Sequence, residues 1–76
     1  MIIRLGKATD NEVVADHPHV SRHHARLTRD QEGRLLLEDL GSTNGTFVNG
    51  RRVDSCRLQH GDKIRIGMTV LRYEVI

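Results

Sequence analysis

No stretch of the chain sustains the recurrence of an amphipathic helix; its short apolar runs alternate at period two and stop at turn residues. In "ARLTR", Ala25 and Leu27 fall on one side, with Arg26 and Thr28 on the other. "DKIRIG" alternates through Ile64 and Ile66, and "VLRYEVI" sets Leu71, Tyr73 and Val75 against Arg72 and Glu74. Such alternation marks strands with one buried face and one wet face. "MIIRL" runs into Gly6, "EVVA" (Glu12 to Ala15) is short and β-branched, and "RLLLEDL" follows the turn-like "DQEG". "TFV" and "RRV" flank Asn49-Gly50. About seven or eight short strands result, at the spacing of a sandwich or barrel. Asn49-Gly50 predicts a type I′ hairpin, because both central residues of that turn need positive φ. The second Asn-Gly, in "STNGT", has polar flanks and reads as a loop.

A chain of 76 residues forms one domain, spanning 1–76. With no Trp, one Phe and one Tyr, its core must be aliphatic. The net charge of +2 does not point to a dedicated duplex-DNA binder. Arg supplies ten of the twelve basic residues, the others being Lys7 and Lys63. Arg is the residue suited to forked contacts with phosphate or carboxylate. The single cysteine, Cys56, permits no internal disulfide. "MIIRLGKATD" has neither the length nor the flanks of a signal peptide or spanning helix. A cytoplasmic domain without a membrane partner is the expectation.

"HPHVSRHHAR", His17 to Arg26, concentrates four of the five histidines. Zinc chemistry suits the imidazoles, but Pro18 breaks any regular element, adjacent His23 and His24 point apart in a strand, and no thiol or acidic ligand lies in the motif. No metal or cofactor is expected. Ser21 is not in a nucleophile elbow and lacks a nearby aspartate to orient His24, so the chain does not read as an enzyme. Two readings stay open. Ser21 and His24 are turn and junction residues satisfied by backbone, or Ser21 and Arg22 supply donors to an anion held by a loop.

Four separated blocks then carry a resemblance. "LGK" with "DNEVV", "VSRHHARL", "LEDLGSTNGTFVNGRRV" and "LQHGDKIRIG" resemble, in order, the G-R, S-R-x-H, D-x-x-S-x-N-G-T-x-V-N-G and L-x-x-G-D-x-I-x-I-G blocks of the forkhead-associated (FHA) family. The resemblance covers nearly the whole chain. It implies an all-β, two-sheet sandwich that binds phosphothreonine peptides through loops at one end, as in Ser/Thr kinase signalling. It also implies that Ser21 donates its hydroxyl to the phosphate and that Arg22 contacts the phosphate or nearby peptide backbone. Thr43 would sit beside the phosphate pocket, and Asn44 would bond the peptide main chain. Lys7 would add charge. Gly6 would shape the turn before the first phosphate contact, His24 would brace the Ser21 loop, and Gly45, Asn49 and Gly50 would shape turns. Asp62 with Gly61 would shape the turn before "KIRIG".

Two departures follow from the comparison with that family. Lys7 stands where the family has arginine, and a lysine cannot make a two-pronged contact. The chain also starts almost at the G-R block, so the first strands of the usual fold are expected to be missing. The exposed edge strand would invite homodimerisation. The alternative function is therefore a phospho-independent interaction or oligomerisation module. Arg51, Arg52 and Arg57 read as a solvated face, with no aromatic platform for nucleic acid.

Overall fold

The computed structural model describes residues 1–75, in which nine strands form. These are β1 (Ile2–Gly6), β2 (Val13–Val14), β3 (Ala25–Arg29), β4 (Leu35–Asp39), β5 (Thr46–Val48), β6 (Arg51–Val53), β7 (Ser55–Arg57), β8 (Lys63–Ile66) and β9 (Thr69–Arg72). They make one sheet ordered β2-β1-β3-β4-β7 and a second ordered β6-β5-β8-β9. Every strand pair is antiparallel except β1 with β2, which run parallel with Leu5 opposite Val13. The architecture is a two-sheet all-β sandwich.

The alternation in the sequence sets the two faces of each strand. In β8, Ile64 and Ile66 are buried while Lys63 and Arg65 are exposed. In β4, Leu35 and Leu37 turn inward. Leu27 lies opposite Leu37, and Ile64 is flanked by Val48 and Leu71. The resulting core is aliphatic, with Leu5, Ala25, Leu37 and Ile66 wholly removed from water. Burying each Leu or Ile contributes about 1.5–3 kcal/mol.

The hairpin between β5 and β6 takes the type I′ form: φ is 52° at Asn49 and 82° at Gly50. The Asn49 side chain also reaches outside its hairpin. Its Nδ2 donates to Asp62 Oδ1 at 2.9 Å, and its Oδ1 accepts the Lys63 N–H at 3.0 Å. Asp62 also accepts the Gln59 N–H at 2.7 Å. That backbone bond, followed by the Asn49 amide, holds the Asp62 carboxyl below its ordinary value.

Three details differ from the sequence reading. β7 adds a strand that "SCR" does not advertise, because only Cys56 of its three residues turns toward the core. β2 keeps only two residues of "EVVA". The run "VLRYEVI" leaves its ladder after Arg72, so Val75 is 57% exposed and does not share a buried face with Leu71. Beyond that point the backbone bonds the neighbouring turn instead: Gly61 N–H to Tyr73 O at 2.7 Å, and Val75 N–H to His60 Nδ1 at 2.9 Å. Ile76, the end of that run, lies outside the described residues.

A domain of this size has a total stability of about 4–11 kcal/mol. Leu37→Ala should remove about 2–5 kcal/mol of it. Urea unfolding should then show a midpoint lowered by about a fifth or more of its wild-type value; an unchanged midpoint would contradict burial of Leu37 in the core.

Candidate functional site

The loops at one end of the sandwich meet around a fully buried histidine. The Ser21 N–H donates to His24 Nδ1 at 3.0 Å. Since Nδ1 accepts, the ring proton sits on Nε2, which faces the Gly45 carbonyl at 2.8 Å. One imidazole thus ties the loop before β3 to the loop before β5. The His24 backbone joins in, donating to Leu5 O and accepting the Leu40 N–H, each at 2.9 Å.

The second organiser is Asp39, at the end of β4. Its Oδ1 accepts the hydroxyls of Ser42 at 2.5 Å and Thr46 at 2.7 Å, and its Oδ2 accepts the N–H groups of Gly41 and Ser42, both at 3.0 Å. Burial opposes ionisation of this carboxyl and is the largest single influence on it. The bonds from Ser42, Thr46 and Gly41 together prevail, leaving it below its ordinary value. The Ser42 hydroxyl in turn accepts the Gly45 N–H at 3.0 Å. Both backbone polar groups of Gly45 are therefore taken, the carbonyl by His24 and the N–H by Ser42, which Asp39 holds. Gly45 itself has φ of 92°, and a Cβ there would lie 2.8 Å from Arg52 Nε.

The loop after β1 is clamped onto the loop before β3. Lys7 N–H donates to Ser21 O at 3.0 Å and Ala8 N–H to Arg22 O at 3.1 Å. Buried Asn11 donates from Nδ2 to Ala8 O at 2.7 Å and to Arg22 O at 2.8 Å. Gly6 matters here for close approach and not for the turn the sequence suggested. It ends a strand, and a Cβ on it would stand 2.2 Å from Arg22 O.

These clamps bring Lys7, Ser21, Arg22, Thr43 and Asn44 around one open concavity of about 430 Å³, together with Pro18 and Val20. Ser21 Oγ accepts the Thr43 N–H at 3.2 Å, which leaves the hydroxyl hydrogen free to donate to another acceptor. Asn44 Nδ2 donates to His19 O at 3.1 Å, which leaves Oδ1 and a second N–H for another partner. The Lys7 and Arg22 side chains are exposed, and neither has an ion-pair partner among the described residues. A larger hollow of about 540 Å³ adjoins the notch, sharing Lys7 and Arg22 but adding Asp10 and Asp16. Those carboxylates would repel an anion, so the smaller notch is the better anion site.

The clustered histidines are dispersed. His23 faces the Asp10 carboxylate at 3.1 Å, an interaction that holds Asp10 below its ordinary value, while His24 is committed to Ser21 and Gly45. Among the described residues no group of three or more metal-binding side chains comes together. Sequence reasoning gave Asp39, Ser42 and Asn11 no role. The spacing of Asp39 and Ser42, three residues apart, was the available signal for a carboxylate-capped turn. Asn11 carried none.

The FHA-domain family profile matches residues 3–67 of the chain. The ABC transporter ATP-binding/permease protein Rv1747 of Mycobacterium tuberculosis is 46% identical over 65 residues, which is 86% of this chain and 7% of that protein. The chain spans well under half the length of the curated relatives it matches. An FHA domain solved in a study of phosphothreonine-dependent FHA domain interactions aligns with a TM-score of 0.92 at 33% identity, covering 99% of this chain and 77% of that one. Mycobacterium tuberculosis EmbR in complex with a low-affinity phosphopeptide aligns with a TM-score of 0.90 at 35% identity, covering 96% of this chain and 19% of that one.

The Asp39 network carries a pH signature. A carboxyl with a lowered folded-state pKa stabilises the fold above its unfolded value, taken as 3.8, and loses that contribution as pH falls through the folded value. Asp39→Asn should cost about 1–3 kcal/mol near neutral pH, because the amide turns donors toward donors. In thermal melts the gap between variant and wild type should narrow as pH falls below about 4. A gap that stays constant with pH would contradict the charged network.

Proposed function

Because the chain belongs to the FHA-domain family, we propose that residues 1–76 form a binding module that reads phosphothreonine in partner proteins and so links them to Ser/Thr kinase signalling. The observation that carries this reading is the notch: the Ser21 hydroxyl and two unpaired cations line one concavity whose loops are tied together by hydrogen bonds through His24.

A phosphorylated threonine presents three acceptor oxygens and close to two negative charges near neutral pH. Ser21 donates its hydroxyl to one oxygen. Arg22 pairs with the phosphate or the adjacent peptide backbone, and Lys7 supplies a further positive charge. Lys7 contacts the phosphate as a point charge, so it gives less directional binding than an arginine would. Thr43 stands at the rim, and Asn44 holds the peptide main chain through the amide atoms that His19 leaves unused. Gly6, His24 and Gly45 act through the backbone they position. The module binds and releases its ligand without chemistry, needs no cofactor, and works in the cytoplasm. It contains no helix long and apolar enough to cross a membrane among the described residues.

In calorimetric titration, a phosphothreonine peptide from a permissive sequence should bind and its unphosphorylated twin should not. Hydrogen bonds to charged groups contribute about 1.5–3 kcal/mol each. Ser21→Ala or Arg22→Ala should therefore weaken binding about tenfold or more with little change in melting temperature, while Lys7→Arg should strengthen it. Equal affinity for both peptides would end this reading.

One observation favours a second reading, phospho-independent self-association. Among the described residues β9 pairs only with β8, leaving an open edge on which Val70 is 59% exposed beside Met68 at 78%. Such an edge accepts a strand from another copy. Sedimentation over a rising concentration series decides the matter: dimer with or without phosphopeptide supports it, and monomer throughout removes it.

A further inference from the structure

The outer faces of the two sheets differ in how their cations are balanced. On the five-stranded sheet three arginines have a carboxylate, Arg4 with Glu12 at 2.6 Å, Arg26 with Glu38 at 3.2 Å and Arg57 with Asp30 at 3.6 Å, while Arg29 at the end of β3 donates to Gly33 O at 2.7 Å. On the four-stranded face Arg52, Lys63, Arg65 and Arg72 point outward and are exposed. Among the described residues only Arg72 has an acidic partner there, Glu74 at 3.5 Å with both side chains about 60% exposed. Isolated cations cost a protein little, but a face on which Arg52, Lys63 and Arg65 have no carboxylate partner among the described residues is complementary to an anionic surface.

The same face holds the chain's one phenylalanine outside the core. Phe47 has Arg52 and Arg65 as its cross-strand neighbours, giving a row Arg52–Phe47–Arg65. The Arg65 guanidinium lies 4.0 Å from the centre of the Phe47 ring, and its Nη1 donates to Gly67 O at 3.1 Å. Stacking and that bond fix the plane of the guanidinium, leaving its other N–H groups for a carboxylate fork.

The row also adjoins the notch. A Cβ added to Gly45, just before β5, would lie 2.8 Å from Arg52 Nε, and one added to Gly67, just after β8, would lie 2.9 Å from Val20 Cγ2 and 3.2 Å from the His19 carbonyl. Two residues of strand, about 7 Å, separate Gly45 from Phe47. An extended peptide leaving Asn44 covers that distance in about two to four residues.

We propose that the outer face of the four-stranded sheet, centred on Arg52, Phe47 and Arg65, binds an acidic segment of the same partner that places phosphothreonine in the notch. The proposal rests on the phosphothreonine reading for its anchor, though the face is built independently of it. An acidic polypeptide fits better than a nucleic acid. The cations are few, they are spaced across strands, and the aromatic ring is already covered by Arg65 and so unavailable for base stacking.

The test uses the intact chain and three peptides: a phosphothreonine peptide with neutral flanks, the same peptide carrying three or four Asp or Glu residues on either side, and the acidic peptide without phosphate. The acidic flank should raise affinity about tenfold at low salt, an advantage that two or three exposed ion pairs supply and that added salt erodes. Arg65→Gln with Lys63→Gln should abolish that advantage and leave the neutral phosphopeptide's affinity as it was. Arg65→Lys should retain most of it. In NMR titration at millimolar concentration, the unphosphorylated acidic peptide should shift Phe47, Arg52 and Arg65 in the wild type. This arm reads the face even if no phosphopeptide binds, an outcome that would defeat the phosphothreonine reading alone. Absence of these shifts, or an acidic advantage that survives the double substitution, overturns the proposal. A single-stranded oligonucleotide of matched charge that binds this face more tightly than the acidic peptide also overturns it and assigns the face to nucleic acid.

Discussion

The loop end of the sandwich that carries the notch depends on a single imidazole. His24 has no exposed surface, and both ring nitrogens bond backbone groups that lie on different loops. A buried polar ring is costly unless both nitrogens are satisfied. The loop at Ser21 therefore cannot drift from the loop at Gly45 without orphaning His24, the Ser21 N–H and the Gly45 carbonyl together. Asp39 imposes a parallel restriction from the far side of Gly45, through Ser42. The Gly45 peptide is the node where both constraints meet, which explains how the neighbouring Thr43 and Asn44 can be exposed and still held in place.

The sandwich supports this node by dividing labour between its faces. Inward residues are mostly aliphatic and settle the register; the charged strand residues point mostly outward and settle the surface potential. On one sheet Arg4, Arg26 and Arg57 are each paired with a carboxylate. Glu12, for instance, sits against Arg4, whose side-chain hydrogen bond is the main influence holding the Glu12 carboxyl down to about 2. On the other sheet the positive charges stand largely alone. Rigid strands beneath and short clamped loops above are the arrangement in which a few polar groups can be held at fixed separations.

Much of this was legible in the residues. Period-two alternation identified β3 and β8, the apolar run after a turn signal identified β4, and Asn49-Gly50 identified its turn because the turn chemistry is local. The motif blocks contain Lys7, Ser21, Arg22, Thr43 and Asn44, which come together around the notch with Pro18 and Val20. What escaped was non-local. β7 has only Cys56 to turn inward and is strand because β4 needs a partner there. Val75 belongs to an alternating run but not to the ladder, because Tyr73 and Val75 bond the turn at Gly61 and His60. Gly6 carries its reason in the carbonyl of Arg22, sixteen positions along the chain, which no local pattern reveals. Asn11 is similar: its side chain welds two loops whose proximity exists only after folding.

The notch draws its walls from segments belonging to different sheets. Lys7 follows β1, Ser21 and Arg22 precede β3, and Thr43 with Asn44 lies on the crossing from β4 to β5. No half of the sandwich can form it alone. Occupancy must therefore be linked to global unfolding and not to local ordering of one loop. A bound ligand will slow amide exchange in the deepest strands as well as at the rim, in proportion to its concentration over its dissociation constant. In a chain this short, a partner that fills the notch acts as a chemical chaperone for the entire fold.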